Sequence, residues 1–382
     1  MSSLNPLFHP TNPGTVEGGE VAVTIKEILT LACLMGLTAF LSCAPYTEQF
    51  APSHAIDTMF SEYSQSGVPG ASLSIIKDGR VLYSKAYGLA DVAGHVPATT
   101  GTNYRLASVT KQFTATAILM LAERGKFSLD TPLSEVLPGT PSYAHDVRIR
   151  HLLNHTSGLV DYEDLIPDSQ TVQVLDADVL KLLNKVDSLY FPPGSKFRYS
   201  NSGYTLLALV VEAVSGEPFA RFLKENIFDP LGMKHTIAYQ EGISTVDNRA
   251  FGHSRTDTGF VQTDQSATSA VLGDGGIYSS VEDLFKWDQD LSGNRLISNS
   301  LRQQSFTPAV LNDGSKTKYG FGWYVEPYKS HESIYHTGST RGFRNAIFRL
   351  SDQQLTIIIL TNRNEGEPIE IAKKIADFLL KE

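Results

Sequence analysis

The run Ile357-Ile-Ile-Leu360 is apolar on both faces, and a strand of that kind must be covered from two sides, which makes it a central strand of a sheet. Partner strands are expected near 320–326, 332–337 and 342–350, the run itself filling 354–361 with Gln353 in the polar turn before it. A further hairpin lies at the opposite end of the sequence, 71–77 and 80–88 around the Asp78-Gly79 turn, after a helix near 53–66. First and last strands then share one antiparallel sheet. The section between them, about 130–235, reads as largely helical, with Pro192-Pro193-Gly194 as a break, and a final amphipathic helix, 368–380, packs on the sheet with proline in its first turn. The expected fold is α+β (within the broad α/β class): an antiparallel sheet flanked by helices, an inserted helical lobe, and a cleft between them for the site.

Three short segments carry chemistry. Ser108-Val-Thr-Lys111 opens a helix that runs to a glycine stop at Gly125. A serine needs a neighbour to take its proton, and Lys111, three residues on, shares its helix face. A free lysine, with a pKa of about 10.4, is useless as a base; burial, a nearby cation or a phenol that shares the proton would correct that. Tyr199, in Tyr199-Ser-Asn201, is the candidate phenol, as tyrosinate or as a proton relay. Asn201 either presents its amide to substrate or holds Lys111. The helix start also offers free backbone N–H groups and the positive dipole end beside Ser108. The third segment is His336-Thr-Gly338, a substrate-clamping strand.

Rival readings are weaker. Ser-x-x-Lys recurs at Ser74-Ile-Ile-Lys77 and Ser315-Lys-Thr-Lys318. The first lies on a strand, where residues three apart face opposite sides, and the second in a polar loop after Asn312-Asp-Gly314. Gly-x-Ser-x-Gly occurs nowhere. His151-Leu-Leu-Asn-His155 has the spacing of two metal ligands but lacks the glutamate and a third ligand, so it reads as a helix end and no metal or cofactor is expected. Gly273-Asp-Gly-Gly276 reads as a turn into a helix whose capping box is Ser279-Ser-Val-Glu282. A net charge of −9 without a basic block argues against a nucleic-acid partner.

Both cysteines, Cys33 and Cys43, lie in one apolar run after Lys26, too short for a comfortable membrane span. Residues 1–43 read as a leader resembling a lipoprotein signal, with Phe40-Leu-Ser-Cys43 as its cleavage box and Cys43 as the lipidated residue. That implies export to the cell envelope on a lipid anchor. Residues 44–382 form the catalytic domain, free of cysteine and so of disulfides.

Together, Ser108-Val-Thr-Lys111, Tyr199-Ser-Asn201 and His336-Thr-Gly338 resemble the three motifs of the class C β-lactamase and penicillin-binding-protein superfamily of serine hydrolases. Supporting matches are Leu152-Leu-Asn-His-Thr-Ser-Gly-Leu159, Phe191-Pro-Pro-Gly194, Pro230-Leu-Gly-Met233 and Gly275-Gly-Ile-Tyr-Ser-Ser280. The resemblance implies an oxyanion hole from the N–H groups of Ser108 and Ser339, an acid/base pair of Lys111 and Tyr199, and substrate contacts from Asn201, His336, Thr337, Gly338 and Ser339. Class C lactamases carry Lys-Thr-Gly in the third motif; histidine there resembles D,D-peptidase-type members, D-amino-acid peptidases and carboxylesterases. Arg341 is a candidate to replace the lost charge by a bidentate clamp, whereas Arg344 reads as a surface residue. The expected activity is hydrolysis of ester or amide bonds through an acyl-enzyme, on D-amino-acid peptides, esters or β-lactams; a catalytically weak scaffold member and a true β-lactamase are the alternatives.

Overall fold

The computed structural model describes residues 53–380. The leader and Cys43 lie outside the described residues. A short helix α1 (Ser53–Met59) precedes strands β1 (Ala71–Lys77) and β2 (Arg80–Tyr87), whose turn is built on positive φ at Asp78 and Gly79, as a tight primed hairpin requires. Helices α2 (Lys111–Glu123), α3 (Ile149–Leu153), α4 (Asp176–Leu183) and α5 (Asn201–Ser215) follow, then α6 (Val281–Ser292). Strands β3 (Tyr324–Val325), β4 (Ser333–Thr340), β5 (Phe343–Leu350) and β6 (Leu355–Thr361) lead to the last helix, α7 (Pro368–Leu379). The main sheet has the order β3-β4-β5-β6-β1-β2, every pair antiparallel.

Strand β6 is central and wholly buried, and its alternation divides its side chains between two cores. Ile357 and Ile359 pack with Ile56 and Phe60 near α1 and with Ile375 and Ala376 of α7. Ile358 and Leu360 face the other way, into the cluster holding Phe113, Ile118 and Trp287. Each such side chain contributes roughly 1.5–3 kcal/mol by leaving water. Among the described residues no strand lies between Tyr104–Arg105 and Ile237–Ala238, so the section 130–235 is helical and irregular.

Three expected elements differ in detail. The 53–66 helix stops at Met59 and gives way to a 3₁₀ turn at Ser61–Tyr63, which lets Phe60 stack on Tyr87 with ring centroids 4.7 Å apart. The 320–326 strand shrinks to Tyr324–Val325; Gly320 and Gly322 instead run so close to the Ser305 carbonyl and to the start of α2 that a Cβ would fit at neither. The cap of α6 is Ser280, whose Oγ accepts from Asp283 N–H at 3.2 Å, because Ser279 still belongs to the strand Ile277–Ser279.

Candidate active site

Tyr104–Arg105 pairs with Ile277–Ser279 and hands the chain to a 3₁₀ turn, Ala107–Thr110, that becomes α2 at Lys111. Side chains three apart eclipse in a 3₁₀ turn, so Lys111 is stacked directly over Ser108, with Nζ 3.0 Å from Oγ. Ala107 holds φ +50°, a left-handed conformation in a residue with a Cβ, at a cost of order 1–3 kcal/mol. The surroundings that enforce it are rigid. Leu106 N–H donates to Ile277 O at 2.8 Å, Asn345 Nδ2 donates to Arg105 O at 2.8 Å, and the backbone of Gly338 in β4 lies against Leu106 and Ala107.

Lys111 is completely buried. Its three protons find Ser108 Oγ, Asn201 Oδ1 at 2.9 Å and the Asp274 carbonyl at 2.9 Å, and it lies over the rings of Tyr199 and Tyr204. Burial pushes its pKa down to about 8, against the pull of Asp274, Asp161 and Glu163. Asn201 is the first residue of α5, and its N–H is taken by Asp161 Oδ2 at 2.7 Å. A carboxylate there satisfies an orphan amide and suits the helix dipole, and it turns the Asn201 side chain toward Lys111.

Tyr199 is brought beside this pair. Its hydroxyl is buried with no hydrogen bond of full geometry; burial raises its pKa, although Ser108 lies near enough to favour ionisation. The group is therefore a phenol at neutral pH, and the tyrosinate alternative is not supported. Its ring lies against His155 (4.2 Å between centroids) and parallel to Tyr324. His155 has φ +59°, accepts from Ser200 N–H through Nδ1, and is held neutral by burial and by Lys111. It ends helix α3 as expected, but it also forms the back wall of the site.

The clamp expected of His336 is not what the structure shows. The imidazole is 1% exposed, and both nitrogens are engaged: Nδ1 with Thr337 O at 2.7 Å and Nε2 with Tyr319 Oη at 2.9 Å. A carbonyl only accepts, so Nδ1 carries the proton and Nε2 accepts from the phenol. Burial and Lys111 push the imidazole down to about 3. It stays neutral and supports the aromatic wall of Tyr199, Tyr319 and Tyr324. Gly338 lies against the Ser108 turn, and it and Thr337 line a second cavity of about 470 Å³ with Arg344, Glu367 and Lys373. Ser339 lines both that cavity and the small one at Ser108. Arg341 is exposed in the β4–β5 turn and lines neither, so the clamp proposed for it has no geometric support. Arg344 is half-buried, its Nη1 donating to Thr340 O and Phe343 O.

Sequence reasoning missed the acidic side of the cleft. Tyr162, Glu163, Asp274 and Arg105 line the same small cavity as Ser108 and Asn201. Tyr162 Oη donates to Asp274 Oδ2 at 2.9 Å. Glu163 sits at the solvent-facing mouth, yet burial of its carboxyl, with Asp274 and Asp161 nearby, pushes it up to about 7.

A family model described as Beta-lactamase matches residues 56–381. The chain belongs to the beta-lactamase family. It is 34% identical over 342 residues to a penicillin-binding protein of Bacillus subtilis (strain 168), covering 85% of this chain and 75% of that protein. It is 31% identical to a D-aminopeptidase of Brucella anthropi, over 82% of this chain but 59% of the relative. Among solved structures, the octameric penicillin-binding protein homologue from Pyrococcus abyssi superposes with a TM-score of 0.75 at 27% identity, covering 87% of this chain and 77% of that one. This beta-lactamase family member therefore has the mixed sheet-and-helix fold of that superfamily and is of serine-hydrolase type.

Proposed function

We propose that the chain hydrolyses amide and ester bonds of D-amino-acid-type substrates through an acyl-enzyme on Ser108. The carrying observation is the 3.0 Å contact between Ser108 Oγ and a fully buried Lys111 whose pKa is depressed to about 8. Neutral Lys111 takes the Ser108 proton as Oγ bonds to the substrate carbonyl carbon. The N–H groups of Ser108 and Ser339 receive the oxyanion, each such donor being worth roughly 2.7–4 kcal/mol in the transition state. The Tyr199 phenol gives its proton to the leaving nitrogen or oxygen as the carbonyl–leaving-group bond breaks, and recovers one from the Lys111 ammonium. Water then attacks the acyl-enzyme, and the same groups return the proton to Ser108.

The charge around the cleft favours one substrate end over another. A neutral His336 gives a carboxylate no counter-charge, and the one arginine of the small cavity, Arg105, already donates to Gly275 O, Gln265 Oε1 and Ser269 O, whereas Glu163 and Asp274 suit a substrate ammonium. Free-amine substrates, as the name of the D-aminopeptidase relative suggests for that protein, fit better than β-lactams, which carry a carboxylate. Attachment to the envelope through a lipidated Cys43 belongs to the same proposal and rests on the leader sequence.

Labelling with a fluorophosphonate and with fluorescent penicillin tests the nucleophile, with Ser108→Ala as control. Turnover of a D-amino-acid p-nitroanilide, a p-nitrophenyl ester and nitrocefin tests the substrate order. Ester hydrolysis at the wild-type rate in Ser108→Ala would end this reading.

A further inference from the structure

One acceptor of the Lys111 proton set is a backbone carbonyl, so its placement depends on the loop that carries it. That loop, 272–276, is pinned from two sides. Gly273 is pressed onto α5, where a Cβ would lie 2.4 Å from Tyr204 O, and its carbonyl accepts from Thr114 Oγ1 at 2.7 Å. From the helical lobe, the Asp176 carboxylate takes Leu272 N–H on Oδ2 at 2.9 Å and Gly273 N–H on Oδ1 at 3.0 Å. The next residue, Asp274, offers its carbonyl to Lys111 Nζ.

Asp176 is the first residue of α4, where a carboxylate ordinarily complements the dipole of its own helix. Here Asp178 closes that N-terminus instead, its Oδ2 accepting from Leu175 N–H at 3.2 Å. Both Asp176 oxygens reach across to the loop. We propose that Asp176 is a positioning residue for the reaction: by fixing two consecutive amides of the 272–276 loop it sets the Asp274 carbonyl against Lys111, and so sets the basicity and aim of the base. The inference goes beyond the substrate reading but rests on Lys111 being that base.

Burial, with help from Asp274 and Glu212, pushes the Asp176 carboxyl up to about 7, against the two amide hydrogen bonds. A protonated carboxyl gives up one of its acceptor positions, so acidification loosens the tether. The charged groups acting on Lys111 are Asp274, Asp161 and Glu163, and its own charge adds to burial in lowering His155 and His336.

The test compares wild type, Asp176→Asn, Asp176→Glu and Lys111→Ala on a neutral p-nitrophenyl ester, reading kcat, KM, the pH dependence of acylation and the melting temperature. In Asp176→Asn an amide NH₂ faces a backbone N–H. A base displaced by about 1 Å loses up to about 100-fold in rate, so kcat falls tenfold or more (about 1.4 kcal/mol) while KM holds within about twofold. Losing the Asp274 carbonyl as an acceptor disfavours the ammonium, so the ascending limb of the acylation profile moves to lower pH by about half a unit or more. Asp176→Glu restores part of kcat. An unmoved limb in both Asp176 variants, whether or not melting temperature falls, overturns the proposal. An active Lys111→Ala instead overturns the assignment of the base, which the Asp176 variants do not test.

Discussion

Gly338→Ala is a one-carbon change with a large expected effect. A Cβ built on Gly338 would lie 2.0 Å from the Leu106 carbonyl oxygen, 3.2 Å from its carbon and 3.3 Å from Ala107 Cβ. Non-bonded heavy atoms do not approach that closely, so about 1 Å of movement is needed. The atoms in the way are backbone, and Leu106 is tied to Ile277 O, so no side chain can simply rotate aside. Either β4 moves off the Ser108 turn or the turn moves off β4. Both open the space between the N–H groups of Ser108 and Ser339, the proposed oxyanion donors. Losing one such donor costs about 10²–10³ in kcat, and overpacking costs about 1–3 kcal/mol of stability. The measurement is acylation rate by burst kinetics on a p-nitrophenyl ester, alongside circular dichroism and melting temperature. A folded Gly338→Ala protein whose acylation stays within about threefold of wild type would refute the argument that this contact sets the site.

Four further outcomes follow from the same geometry. For a neutral ester, kcat/KM should rise with pH and reach half-maximum near 8, where buried Lys111 loses its proton; a limb near 6.5 is not expected from His336, which is pushed to about 3, and a profile flat from pH 6 to 9 would exclude Lys111 as base. Lys111→Ala and Tyr199→Phe should each cost several orders of magnitude in kcat and the double variant little more, because the proposed mechanism makes them one proton-transfer unit; additive losses would separate them. Glu163 has its carboxyl raised to about 7, so its ionisation opposes folding as pH climbs from the unfolded value toward 7. Glu163→Gln should therefore raise the melting temperature at pH 8 but not at pH 4, and should raise KM several-fold for amine substrates while sparing neutral esters; equal effects on both substrates would remove Glu163 from amine recognition. Finally, full-length protein should partition into detergent and Cys43→Ser should release it, whereas wild-type protein recovered wholly in the aqueous phase would sink the lipid anchor.

The residues that were legible in the sequence are those whose role depends on spacing along one element. Lys111 meets Ser108 because three residues span one turn, and Ile357-Ile-Ile-Leu360 is central because both its faces are apolar; each inference needs only local periodicity. Glu163, Asp274 and Asp176 meet the Ser108 site or the loop beside it through residues remote along the chain, Tyr319 meets His336 at the sheet edge, and no local pattern marks one tyrosine of sixteen.

His336 shows how a correct motif can carry the wrong chemistry. Its place in β4 was legible, and so was its neutrality at pH 7 as a free imidazole of pKa about 6.5. What the sequence could not supply is that Tyr319 and Thr337 O occupy both ring nitrogens. A fully paired neutral imidazole has no donor left for a substrate carboxylate, and charging it would add an Nε2–H against the Tyr319 hydroxyl and a cation near Lys111. Replacing it with lysine would bury a second ammonium next to the first. His336→Lys is therefore expected to depress Lys111 further and to disrupt the Tyr319 contact, lowering ester turnover as well as stability, rather than to create a carboxylate clamp. A His336→Lys variant that folds, keeps ester turnover and gains nitrocefin hydrolysis would show that the strand still presents this position to substrate, and the neutral-wall assignment would fail.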